Sequence, residues 1–152
     1  MGVADADDVE RLLGRRPEGD FEVVVRDDHG APVVIRNAPL LHSGRPMPTL
    51  YWLVGDHERL LVGRLESRSG VRRAEAAIPM DDIMAAHARY AAERDELVPP
   101  DHEGPRPTGG VGGTRQGVKC LHAHYGYHLA GGDDPVGVWV AEHLHEPEYE
   151  DD

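Results

Sequence analysis

The chain has 152 residues, with 28 acidic side chains against 16 basic ones and a formal net charge of −12. That is length enough for one domain with its own core, and the charge disfavours nucleic acid and anionic membranes as partners. A lone cysteine, Cys120, excludes an intrachain disulfide.

In chain order, Asp5 to Leu13 reads as a short helix stopped by Gly14. Phe21 to Arg26 and Val33 to Arg36 are β-branched runs around the turn Asp27-Asp28-His29-Gly30, with Pro32 at the start of the second, and predict a hairpin. A proline-rich loop over 38–49 leads to a third strand, Thr49 to Val54. His57 to Leu65 suits a helix, and Val71 to Ile78 suits an edge strand. Asp81 is a favourable N-cap for a helix running to Leu97, stopped by Pro99-Pro100. Residues 99–117 form a long Pro/Gly loop, of the kind that is usually functional or disordered. A helix or strand follows from Val118 and closes at Gly131-Gly132; Pro135 to Leu144 is a last helix, with Pro135 in its first turn. The expected fold is α+β: a small antiparallel sheet over about residues 21–54, packed against three or four helices. It forms a single domain spanning residues 1–152, with disordered acidic ends at about 1–6 and 146–152.

No apolar run approaches the roughly 20 residues of a spanning helix, and the acidic start, Met1 to Glu10, lacks the apolar core of a secretory signal. A soluble, cytoplasmic protein without a membrane partner is the expectation.

Chemistry concentrates in residues 108–128. Gly109, Gly110, Gly112, Gly113 and Gly117 let backbone N–H groups approach a ligand. A helix starting near Val118 would favour an anion at its N-terminus. Gly112, Gly113, Arg115 and Lys119 are therefore candidate anion-binding residues for a phosphate-like ligand. The standard phosphate loops do not match: Lys119 follows Val118 rather than a glycine, and Arg115 stands where the dinucleotide fingerprint needs its third glycine. A flexible connector is the bland alternative.

Cys120, His122, His124 and His128 are candidate metal ligands, with zinc the metal such donors suit. In a strand, 120, 122 and 124 share a face; in a helix, 120, 124 and 128 form a stripe. Cys120 could instead be a nucleophile, with a packed small hydrophobe the commoner reading for such a residue. On the helix after Asp81, His87 and Arg94 interrupt an apolar face made by Ile83, Ala86, Tyr90 and Leu97. Burial demands that they pair with an acid such as Glu66 or face a pocket. Arg94 is thus a further anion-binding candidate, and His87, Cys120 and His122 are the catalytic candidates.

The strings "GRPMPTLYWLVG", "AHARYAAERD" and "GVGGTRQGVKCLHAHYGYHLAGGDDPVG" resemble the bacterial domain-of-unknown-function family 501, over about Leu13 to Trp139. The resemblance implies a site at Lys119, Cys120, His122 and His124, then at His87, Tyr90 and Arg94, and no established reaction. It also implies cysteines in many members after the first strand and after "LYWL", where this chain has Asp27 and Gly55, which argues against a sulfur-rich cluster here. Two functions follow as expectations. One is a small anion-binding and metal-binding domain, acting as a hydrolase or transferase. The other is a non-catalytic module that binds a protein partner through its acidic ends or helix faces.

Overall fold

The computed structural model describes residues 3–146. Three antiparallel strands, β1 (Phe21–Arg26), β2 (Pro32–Asn37) and β3 (Tyr51–Leu53), form a sheet in that order, with Val23 paired to Ile35 and Val34 to Leu53. Six α-helices accompany it: α1 (Val3–Leu13), α2 (Asp56–Ser67), α3 (Gly70–Ala77), α4 (Met80–Asp95), α5 (Leu121–Leu129) and α6 (Pro135–His143). The α+β expectation holds, with six helices against the three or four anticipated.

The extra helix is α3. Its β-branched ends suggested a strand, but Gly70 and Ala74 bury at helical spacing with Ile78 packed partly buried at the C-cap, and the Ala-Glu-Ala-Ala second half is strongly helix-forming. Helix α4 starts at Met80 after Pro79, so Asp81 lies in its first turn rather than at its cap. Helix α1 reaches back to Val3 and Asp5 pairs with Arg26, while Glu146 pairs with Arg73. Of the acidic ends expected to be disordered, residues 1–2 and 147–152 lie outside the described part.

The alternation of β1 turns Phe21, Val23 and Val25 inward. One face of the sheet, with Ile35 and Trp52, meets Val9, Leu12 and Leu13 of α1. The other, with Val34 and Leu53, meets the main core of α2, α4, α5 and α6. Helix α5 lies directly over β3: a Cβ on Gly126 would stand 3.4 Å from the Leu53 nitrogen. Helices α5 and α6 cross at Gly137, where a Cβ would fall 2.7 Å from the His124 carbonyl oxygen. Among the described residues, no helix is long and apolar enough to cross a membrane.

Helix α4 anchors the entry to β3 through one hydroxyl. The buried Tyr90 Oη accepts the Leu50 N–H at 2.6 Å and the Tyr51 N–H at 3.0 Å. Tyr90→Phe leaves two buried backbone donors unpaired, each costing about 1–3 kcal/mol. Urea denaturation is expected to show a loss of about 2–4 kcal/mol; a loss within 0.5 kcal/mol of zero, as for an ordinary surface change, would show that water replaces the hydroxyl.

Candidate functional site

Two polar residues on the buried face of α4 hold the glycine-rich segment in place. His87 Nδ1 accepts the Val111 N–H at 3.0 Å, and its Nε2–H donates to the Gly117 carbonyl at 2.7 Å. Because Nδ1 accepts from an amide, the ring is neutral with its proton on Nε2. The segment passes so close that a Cβ on Gly110 would sit 2.4 Å from the His87 Cβ. Arg94, 1% exposed, donates to the carbonyls of Pro48 and Gly109 at 3.1 and 2.9 Å and to Asp95 at 3.0 Å. Arg94 therefore clamps backbone and pairs with Asp95, its hydrogen bonds going to these groups and not to Glu66. His87 has both ring nitrogens committed to the backbone of the segment.

The segment makes a single 3-10 turn, Val111–Gly113, with Gly112 at φ 68°, and then leads to α5. That helix begins at Leu121, not Val118, with Cys120 extended in the N-cap position. An N-cap side chain folds back over the second and third helical residues. Cys120 and His122 are therefore neighbours, which neither a continuous strand nor a continuous helix from Val118 describes. Glu66, in the last turn of α2, completes the corner: its Oε2 accepts the Leu121 N–H at 2.7 Å and lies 3.1 Å from His122 Nδ1. Burial raises the Glu66 pKa, but hydrogen bonds from His122 and Leu121 outweigh it and hold the carboxyl below its ordinary value. Burial pushes the Cys120 thiol up, against the opposing pull of the Ala123 and His122 N–H groups, which argues against a free thiolate nucleophile.

The other two histidines lie elsewhere. His124 is buried, its Nδ1 2.6 Å from Asp134 Oδ2, and Asp134 caps α6 through the N–H groups of Val136 and Gly137. His128 stacks on Tyr125 at the α5–α6 crossing, two turns or about 12 Å along the axis from Cys120. The metal candidates thus separate: Cys120 and His122 converge with Glu66, and His124 and His128 do not.

A cavity of about 440 Å³ opens beside this corner, along the free edge of β3. Gly112, Lys119, Cys120, His122 and Ala123 line one side; Thr49, Tyr51, Trp52 and Leu53 line the sheet side; Leu13 at the end of α1, Arg15 just after it and Arg59 of α2 close it. Lys119 is exposed and has no ion pair among the described residues. Arg59 donates to the Leu12 carbonyl at 3.1 Å, and Arg15 lies over the Trp52 ring at 5.6 Å. Arg115 and Gly113 fall outside the lining, with Arg115 exposed. The N–H groups that suggested an anion cradle are taken by protein carboxylates: Glu66 on Leu121 at the start of α5, and Glu75 on Val118 in the segment before it, the latter at 2.9 Å. Arg15, Arg59 and Glu66 have no local sequence signal, since they reach the site only through packing.

This is an α+β domain with a cationic cleft at a sheet edge. Residues 23–142 match the family described as Protein of unknown function (DUF501), and the chain belongs to that family. Comparison with curated proteins and with solved structures gives no match.

Burial depresses the His87 pKa, chiefly by desolvation. The unfolded state, with a histidine pKa near 6.5, then takes up the proton first. The stability conferred by neutral His87 is complete above that pH and is lost as pH falls below it. His87→Gln is expected to unfold more easily than wild type by about 2–3 kcal/mol at pH 7.5, with the gap narrowing by pH 5. Paired urea titrations across that range check it, and a gap that widens on acidification refutes the neutral assignment.

Proposed function

We propose that this protein binds a small anionic molecule, of phosphate-like chemistry, in the cavity beside β3. One observation carries the reading. In a chain of net charge −12, the charged residues of the lining are the cations Arg15, Arg59 and Lys119, with no carboxylate among the described lining residues. Converging cations on low-dielectric walls attract and hold an anion more strongly than the same charges dispersed over a surface. The volume, about 440 Å³, suits a small molecule. Apolar walls from Leu13, Leu53 and Trp52 leave room for an uncharged portion of the ligand. A hydrolase or transferase acting on that ligand would set its reacting centre against Cys120 and His122, which line the cavity beside Lys119.

The protein-binding module has thinner support: Met80, Met84, Leu97 and Val138 are exposed apolar residues spread over α4, the segment after it, and α6.

Thermal unfolding with inorganic phosphate and pyrophosphate tests the anion reading. A ligand at 100 times its Kd adds about 2.7 kcal/mol, which raises the melting temperature of a domain this size by about 5–10 °C. The Lys119→Ala, Arg59→Ala double variant is expected to lose most of that shift. Absence of any shift at millimolar anion, or a full shift in the double variant, removes this pocket as the binding site.

A further inference from the structure

We propose that Glu66, Cys120 and His122 bind one divalent cation of the zinc class. One carboxylate oxygen, the thiol sulfur and one imidazole nitrogen all lie within 4.8 Å of one another. Two donors on a tetrahedral zinc stand about 3.3–3.8 Å apart, given bonds of about 2.0–2.3 Å. The His122 Nδ1 to Glu66 Oε2 separation, 3.1 Å, is already in that neighbourhood. The metal takes the place of the proton those two atoms share, and closing on Cys120 asks for side-chain rotation rather than backbone movement.

The donor set is selective. Thiolate and imidazole favour zinc over magnesium or calcium, which prefer all-oxygen shells. Thiolate and carboxylate together neutralise the two positive charges, so the half-buried corner gains no net charge on loading. The scaffold is rigid: Cys120 and His122 are fixed by the first turn of α5, and Glu66 is held by the Leu121 N–H, a hydrogen bond that orients a ligand from the outer shell.

Three protein ligands leave a fourth position open, the arrangement of catalytic rather than structural zinc. That position faces the cavity, because Cys120 and His122 both line it. A water there, or an oxygen of an anion brought by Lys119 and Arg59, completes the shell. The metal site stands independently of the anion reading, since zinc binds this corner with the cavity otherwise filled by water.

The test is zinc and cobalt titration of the full-length, reduced, metal-free protein in phosphate-free buffer. Stoichiometry is read by native mass spectrometry and affinity by competition with a chromogenic chelator. One zinc per chain is expected, with cobalt giving the ultraviolet charge-transfer absorption of a thiolate ligand. Cys120→Ser is expected to abolish that band. His122→Gln is expected to weaken binding by more than the roughly 10–100-fold typical of losing an outer-shell partner, while His128→Gln leaves it unchanged. Glu66→Gln weakens binding too, but it also disturbs the start of α5, so the decision rests on the other variants. Failure to take up zinc, or uptake undiminished in both Cys120→Ser and His122→Gln, overturns the proposal. Phosphate stabilisation of the metal-free protein is read separately, so the two ideas fail independently.

Discussion

The site depends on the grip of α4 on the segment between residues 107 and 117. Glycine-rich chain cannot hold itself: it has no side chains to pack and the largest conformational entropy to lose. His87 and Arg94 supply the missing order by hydrogen bonding the backbone at Val111, Gly117, Gly109 and Pro48. Both side chains are buried, so their hydrogen bonds form away from water and fix position strongly. Lys119 and Cys120 follow directly, and the cavity takes its shape from where this segment is pinned.

The electrostatics of the corner are local rather than global. Acidic groups dominate the chain, yet two carboxylates at the corner, Glu66 and Glu75, are turned onto backbone N–H groups at Leu121 and Val118. Glu66 thereby acts as an internal cap, offsetting the positive end of α5, and Glu75 ties down the segment before it. Of the cations across the cavity, Arg15 lies 3.9 Å from Glu18, while Arg59 and Lys119 have no ion pair among the described residues, which keeps the lining positive although the molecule is not.

Much of this was legible in the sequence and some could not be. The hairpin, β3, α4 and α6 carry strong local signals in β-branched runs, Asp-Asp-His-Gly and Asp-Pro. The importance of 108–128 followed from its glycines and its thiol and imidazole groups. The two polar interruptions on α4 signalled that something would satisfy them, but a helix pattern cannot say that the partner is a loop backbone. Helix α3 was obscured because Val71 and Ile78 look alike in a strand and on a short helix face. The histidines divided on a single dihedral: Cys120 is extended, with ψ 154°, and the next residue is helical, so the spacing rules for continuous strand and continuous helix both misplace the set. Glu66, Arg15 and Arg59 enter from elements 50 or more residues away from α5, where no periodicity points.

The hydroxyl of Tyr90 has a consequence for how the chain assembles. Strand β3 is three residues long, too short to hold to β2 on its own, and its first amides are completed only by a side chain 39 and 40 residues further along. The β1–β2 hairpin needs only a local turn, whereas the third strand must wait for a loop of that length to close and for α4 to be helical when it does. The cavity edge thus rests on contacts far more distant in sequence than those of the hairpin, and a change in α4 reaches it without touching its lining.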